Sequence, residues 1–311
     1  MKKLSKQPLV SVIMPVYNAG NFVSEAIESI LSQTYKNFEF IIVDDASTDS
    51  SWEIISGYKK RYPQKIKAFK LVYNLNMGGD AAANIGFRFA KGEFVARMDA
   101  DDISKIDRLE EEVKFLLSHL DIAVVGSQAD VINAEGVVIG EKKVPTSSKE
   151  IYRDFFVFHP MIHSSVMIRR FAIRNSNGLY TLSYNANNDY LTFFKMISQG
   201  SKFANLKEKL LYYRIHGQND SLIHIKRSFD NTLKIRLKAI SEFGYKPSLL
   251  AFTKLMVQVF LMILLPEKFI VPLYMVVRGI VRPEFYAPFL GEGAFVRLKK
   301  ALVPALNERL F

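Results

Sequence analysis

Residues 91–102 read KGEFVARMDADD. The apolar run Phe94–Met98 has the length of one buried strand, and it stops at three carboxylates within four positions, Asp99, Asp101 and Asp102. Working outward, the same unit recurs on both sides. Apolar runs Val10–Met14, Phe38–Val43, Ile66–Val72 and Ile122–Val125 alternate with helical patterns at Phe22–Gln33, Ser51–Tyr62, Ala81–Ala90 and Ile106–Leu120. Most runs are apolar on both faces, as parallel strands covered by helices are. The alternation predicts an α/β fold, a Rossmann-like doubly wound and mostly parallel sheet. Ser50 with Glu53, and Ser104 with Asp107, have the spacing of reciprocal helix caps.

In such sheets ligands bind beyond the carboxyl ends of the strands. That rule selects three loops: Pro15-Val16-Tyr17-Asn18, the stretch Asp44 to Asp49, and Asp99 to Asp102. Two carboxylates in an Asp-x-Asp pair suit a hydrated Mg²⁺ or Mn²⁺ that also takes phosphate oxygens, while Asp101 and Asp102 equally suit a helix cap. In VDDASTD, Asp44 and Asp45 fit either an Asx turn or hydrogen bonds to a nucleotide, and Asp49 and Ser50 fit a cap. A carboxylate accepts from an imide N–H, so Asp45 favours a uridine or thymidine donor over others. Tyr17 is placed to stack on a base or to pack.

Past residue 130 the expected elements are a turn at Glu135-Gly136, a helix at Ile151–Phe158, a strand at His163–Ile168, a helix at Asn188–Gln199, and strands at Phe203–Leu206 and Leu210–Ile215. From Ser221 the pattern is mostly helical. The chain has 311 residues, 49% apolar and 23% charged, enough apolar surface to offset backbone entropy. Zero cysteines exclude disulfides, thiolate metal sites and a cysteine nucleophile. Five histidines leave little room for a multi-histidine zinc centre, so any metal is a hard cation on carboxylates. Met1 to Asn18 contains Pro15 and no small-residue cleavage site, and reads as a strand and not as a signal peptide.

The motifs VSVIMPVYN (10–18), SILSQTY (29–35), FEFIIVDDASTD (38–49), NxNxGG (74–79), AKGEFVxxMDADD (90–102) and DRL (107–109) stand in one order. Together they resemble the nucleotide-sugar domain of family 2 glycosyltransferases, inverting enzymes of GT-A fold, over roughly residues 9 to 220. The resemblance implies that Pro15, Tyr17 and Asn18 line a nucleoside pocket, with Asp45 on the base and Asp44 supporting its loop. It places Asn76, Gly78 and Asn84 in the glycine loop beside the donor, Asp99 at the ribose or metal, and Asp101 as direct ligand of Mn²⁺ or Mg²⁺. Asp189, in Asn187-Asn188-Asp189-Tyr190, is then the catalytic base. His216, in Tyr213-Arg214-Ile215-His216, closes over the donor or metal, and His163, Asn188 and Arg214 border the acceptor side. His159 and His119 are read as structural. Two positions depart from the family pattern: Asn188 stands where Glu is common, and Ala83 where Arg is common.

The net charge is +11, and 14 Lys and Arg against 6 Asp and Glu fall after residue 223, a net of +8. The same segment holds the apolar runs Leu249–Leu265 and Phe269–Val277, too short to span a bilayer and interrupted by polar residues or proline. Basic flanks such as Lys246, Lys268, Arg278, Arg282, Arg297, Lys299 and Lys300 suit a helix lying on an anionic membrane surface, with a shallow re-entrant hairpin and ordinary core or dimer packing as the alternatives. The expected organisation is a GT-A catalytic domain at 1–220 and a basic, apolar, membrane-associating helical region at 221–311. The expected activity is transfer of a sugar from a UDP- or dTDP-sugar to a hydroxyl of a lipid-linked glycan, at the cytoplasmic face of the membrane, by a monomer or a homodimer. The alternative is a catalytically silent nucleotide-sugar-binding partner of an active transferase. Nucleic acid is not an expected partner, since no basic–aromatic platform exists.

Overall fold

The computed structural model describes residues 7–72, 77–173, 178–217, 219 and 223–281. Strands β1 (Val10–Val16), β2 (Phe38–Asp44), β3 (Ile66–Lys70), β4 (Phe94–Arg97), β5 (Ile103–Ser104), β6 (Ile122–Ile132), β7 (Val138–Lys142), β8 (Met167–Arg169) and β9 (Lys202–Arg214) form one sheet. Its order is β3-β2-β1-β4-β8-β6-β9-β5, with β7 paired to β6. The half that carries the first motifs is parallel throughout, β3 to β4. Beyond β4 the sheet is mixed: β8 runs antiparallel to both β4 and β6, and β9 parallel to β6.

Helices cover both faces. Along β1, Val10, Val12, Met14 and Val16 pack on one side against α1 (Val23–Leu31), α2 (Ser51–Arg61) and α4 (Arg108–Ser118). Ile13 points the other way, into a second core built from α3 (Gly79–Phe89) and α6 (Asn188–Ser198). This period-2 division of one apolar strand is what a sheet buried on both sides requires. In α6, Tyr190, Leu191, Phe193 and Phe194 are fully buried, which fixes the helix whose first turn carries Asp189.

Several boundaries differ from the sequence expectation. Ser50 and Asp107 occupy N-cap positions, but neither forms a side-chain cap bond. Ser104 lies in β5 instead, donating no cap and receiving Gln33 Nε2 at 3.2 Å. The reciprocal box forms at α5 (Ser148–Asp154), where Ser147 and Glu150 cap each other's backbone. His163–Ile168 is not one strand: residues 163–165 make a 3-10 turn before β8. The two short strands expected near 203–215 are one strand, β9, whose register against β6 shifts three times.

The C-terminal helices are α7 (Ile225–Ser241), α8 (Leu249–Leu264) and α9 (Glu267–Val277). Ile235, Ala239, Ala251 and Leu255 join the second core, so α7 and α8 rest on the sheet domain. Gln258 also turns inward, donating to the Val157 carbonyl at 3.1 Å and accepting from Arg236 at 3.2 Å. Thr253 on the same helix is exposed, as are Leu249, Phe252, Met256, Phe260 and Ile263, Ile263 at 77%. Among the described residues no helix is long and apolar enough to cross a membrane. Past α9, Ile280 and Val281 pack on Val131 and Ile139 of the β6–β7 hairpin. A Cβ at Gly140 would stand 2.0 Å from the Ile280 carbonyl oxygen, so only glycine admits this crossing. Gly140→Ala is expected to push the 275–281 segment off the hairpin and to cost about 1–3 kcal/mol, read as a lower urea midpoint.

Candidate active site

The three loops picked out by the strand-end rule converge. Asn18, at φ 47°, accepts the Thr48 N–H at 2.9 Å through its side chain and donates its own N–H to Ser47 Oγ at 3.0 Å. Asp49 accepts from Gly20 and Ser51, a capping role as expected. Pro15 is buried one residue before the end of β1, and Tyr17, just past that end, is 47% exposed. Asp44 is fully buried and takes the Ser47 N–H at 3.3 Å; burial raises its pKa.

Asp45 is 1% exposed, and burial raises it too. Its carboxylate accepts the Met77 N–H at 3.0 Å and the Gly78 N–H at 2.8 Å, which locks the glycine loop onto the nucleoside loop. Gly78 needs its φ of 88° to start α3 from that turn. Asn76 lies outside the described residues. Asn84 is not free to reach a donor, because both ends of its carboxamide pair with the Tyr180 backbone at 2.7 and 2.9 Å.

At the end of β4, Asp99 meets a buried guanidinium, Arg97 Nη2, at 2.7 Å. Arg97 also donates to the Met98 carbonyl, and the electrostatic reach of its charge extends to Asp80, Asp189 and Tyr180. The arginine of the DRL motif, Arg108, is fully buried; it pairs with Glu112 at 3.0 Å and donates to the Arg97 carbonyl at 2.8 Å, stiffening the strand that delivers Asp99. Asp101 is partly exposed, and its Oδ2 is 3.0 Å from His216 Nε2 and 3.3 Å from Asn219 Nδ2.

A divalent metal fits this donor set. Asp101 and His216 supply a carboxylate oxygen and an imidazole nitrogen side by side, within hydrogen-bond distance of each other, and Asp99 stands two residues from Asp101. Among the described residues no three His, Asp or Glu side chains converge into a complete cage. That suits a hard cation held by one or two carboxylates and completed by substrate phosphates.

Asp102 and Arg214 have different work. Asp102 is buried, accepting from Ser164 and from the Arg214 backbone N–H at 2.8 Å, and burial with the Asp101 and Asp99 charges raises its pKa strongly. Arg214, expected at the acceptor side, is only 2% exposed. Its guanidinium donates to the carbonyls of Asp101 at 2.8 Å and Ala134 at 2.8 Å and pairs with Glu25, so it braces the loop and offers no free cation.

Opposite this loop, Asp189 sits in the first turn of α6. His159 Nε2 is 3.2 Å and His163 Nδ1 3.7 Å from the same oxygen, Oδ2. The Met161 N–H points at His159 Nδ1 at 3.3 Å, so His159 carries its proton on Nε2, toward the carboxylate. His163 Nε2 is 2.6 Å from the Tyr180 hydroxyl. Burial pulls His163 down to about 4 against the Asp189 charge, and so it is neutral at ordinary pH. Burial alone pushes Asp189 up, but the His163 and His159 contacts and the Tyr190 N–H reverse this and hold it below the usual carboxylate range. Asp80 accepts the Asn188 N–H at 3.2 Å; burial and the neighbouring Asp189 charge push it up to about 7. Asn188 is a loop clasp, its carboxamide spent on Ser183 and Tyr184.

Sequence reasoning missed Asp80, Arg97, His159 and Tyr180. The available signal for His159 was its spacing four residues before His163.

The sequence profile described as "Glycosyl transferase family 2" matches residues 11–176, more than half of the chain. The chain belongs to glycosyl transferase family 2. It is 33% identical to the putative glycosyltransferase EpsE of Bacillus subtilis over 262 residues, covering 80% of this chain and 91% of that one. It is 31% identical over 239 residues to an Escherichia coli enzyme named UDP-Glc:alpha-D-GlcNAc-diphosphoundecaprenol beta-1,3-glucosyltransferase WfaP, covering 74% of this chain and 88% of that one. Among solved structures, S. aureus TarS 1-349 in complex with UDP superposes with a TM-score of 0.60 at 20% identity, over 96% of this chain and 82% of that one. The mannosyltransferase PcManGT from Pyrobaculum calidifontis, in complex with GDP-Man and Mn²⁺, gives 0.58 at 18% identity over 97% and 81%. This glycosyltransferase thus has the GT-A fold.

The His159 contact and the Tyr190 N–H favour the ionised form of Asp189. Replacing His159 by Ala leaves burial less opposed, so the Asp189 pKa is expected to rise. An Asp189 carboxylate that titrates at the same pH by NMR in the native chain and in the His159→Ala variant contradicts this.

Proposed function

We propose that this enzyme is an inverting, metal-dependent transferase that moves a sugar from a nucleoside diphosphate donor to a hydroxyl of a lipid-linked glycan. The observation that supports it most is the placement of Asp189 at the head of α6, with His159 and His163 at 3.2 and 3.7 Å from one oxygen and the buried Arg97, paired with Asp99, within electrostatic reach. An acceptor hydroxyl is a poor nucleophile until a base takes its proton as it attacks. Asp189 takes that proton, the acceptor oxygen bonds to the anomeric carbon, and the bond to the diphosphate breaks with its electron pair leaving on the phosphate oxygen. One base and a single displacement give inversion; a retaining route by double displacement needs a second carboxylate placed as nucleophile. Asp101, Asp99 and His216 are the residues to hold Mn²⁺ or Mg²⁺, which when bound stabilises charge on the departing diphosphate.

On the donor side, Pro15, Tyr17, Asn18, Asp44, Asp45 and Gly78 form the nucleoside pocket, with the exposed Tyr17 ring as stacking surface. The Asp45 carboxylate reaches a uridine or thymidine imide only if residues 77–78 share it, since both their N–H groups already use it. The donor in the WfaP name and the UDP in the TarS structure favour the uridine choice. On the acceptor side, His163 borders the base, and the acceptor in the WfaP name is a lipid diphosphate. The outward apolar face of α8 and the basic C-terminal region are suited to lie on the anionic inner face of the membrane.

Calorimetry with UDP, dTDP and GDP, each with Mn²⁺ and with EDTA, tests the donor reading. One nucleotide is expected to bind with Mn²⁺ and to lose binding in EDTA and in Asp101→Ala. Asp189→Asn should keep that binding yet lower transfer roughly 10²–10⁴-fold; a silent partner protein would bind without any transfer to lose. Sedimentation with phosphatidylglycerol vesicles tests the membrane reading, and the paired change Phe260→Asp and Ile263→Asp is expected to leave the protein in the supernatant.

A further inference from the structure

Two cations near the site take no part in the scheme above. Lys142 ends β7 and lies over the Tyr213 ring at 4.0 Å, one residue before the Arg214 brace. Arg278, just past α9, lies over the Phe158 ring at 3.6 Å, one residue before the His159 that contacts Asp189. The crossing of Ile280 over Gly140 brings the two together, because the Arg278 segment is seated on the hairpin that carries Lys142. Neither cation has a carboxylate within ion-pairing distance among the described residues, and Arg278 Nε is buried with no acceptor. Both side chains are partly buried, and Arg278 has the Tyr274 side chain as a hydrogen-bond partner. A cation partly withdrawn from water without an anion is destabilising, and an anionic ligand would complete the arrangement. Burial pulls the Lys142 ammonium down to about 8, opposed by the Asp102, Asp99 and Asp189 charges and aided by Arg278. The same burial lowers Arg278.

We infer that Lys142 and Arg278 form an anion subsite on the acceptor side that takes the phosphates of a lipid-diphosphate acceptor. This rests on the glycosyltransferase reading above and names the residues that recognise its acceptor. Three features fix the side. Phe158 and His159 place Arg278 by the base rather than by the nucleoside loops. Tyr213 places Lys142 behind the Asp101–Asp102 loop. The exposed apolar residues of α8, together with Phe269 and Tyr274 of α9, provide the adjoining surface that a lipid chain needs.

Calorimetry of the full chain in detergent with farnesyl diphosphate and with farnesol tests this without a sugar donor. Farnesyl diphosphate is expected to bind and farnesol to bind about tenfold more weakly or not at all. Lys142→Met and Arg278→Gln should each weaken farnesyl diphosphate about tenfold, Lys142→Arg should retain it, and thermal melts should show all three folded. Above pH 8 the Lys142 ammonium loses its proton, so affinity should fall between pH 7 and 9 in the native chain and not in Lys142→Arg. Farnesyl diphosphate binding that ignores both charge-removing variants overturns the inference. So does an equal loss of Mn²⁺–nucleotide binding in those variants, which would assign the pair to the donor. A loss confined to phosphatidylglycerol vesicles would assign it to bilayer headgroups and overturn it as well. Absence of nucleotide binding in the native chain would sink the transferase reading separately.

Discussion

The site hangs on one buried guanidinium, Arg214. It closes the long strand β9 onto two loops and a helix at once: the Asp101 carbonyl, the carbonyls of residues 133 and 134, and the Glu25 carboxylate all receive its N–H groups. Its own backbone N–H holds the Asp102 carboxylate, and the Phe22 ring lies 4.9 Å from its charge. A planar, permanently charged fork can satisfy this many carbonyls from a fixed position, and lysine cannot. The partly exposed carboxylates of this loop, Asp99 and Asp101, are thus aimed by groups buried behind them.

A second constraint is electrostatic. Asp80, Asp99, Asp102 and Asp189 crowd one end of the sheet, and carboxylates this close cannot all ionise unless something opposes them. Arg97 faces three of them from the core. The protein also separates them by environment: burial pushes Asp102 and Asp80 toward their neutral forms, while the His159 contact and the Tyr190 N–H draw Asp189 toward its charged form. Environments that drive neighbouring acids apart in pKa are how a site assigns one of them to proton transfer. A second positive centre at Asp99 and Asp101 would relieve the same crowding.

The fold was legible because its signal is repetitive. Apolar runs of strand length ended in polar loops at regular intervals, and the strand-end rule then located the cleft without any side-chain geometry. Legibility failed where a side chain is consumed by backbone. Asn84, Asn188 and Arg214 have the chemistry to bind a ligand, but carbonyls and N–H groups of distant loops had already taken them, and no spacing in the sequence announces that. His159 failed in the opposite direction. A lone histidine looks like a surface or core residue until a turn at 163–165 and the α6 terminus bring it to Asp189. The cap at Ser147–Glu150 was missed for a third reason: it precedes a helix of only seven residues, too short for periodicity to mark.

The C-terminal region joins these points. Helix α8 shows Leu249, Phe260 and Ile263 to solvent and gains nothing from the hydrophobic effect on that face, while Ala251, Leu255 and Gln258 on its other side hold it to the second core, Arg236 and the Val157 carbonyl. A contiguous apolar surface of this kind marks a place where another apolar surface can dock. The same helices then carry Arg278 to the edge of the catalytic cleft, so the surface that would hold a lipid chain and the charge that would hold its phosphate arrive on one continuous piece of chain.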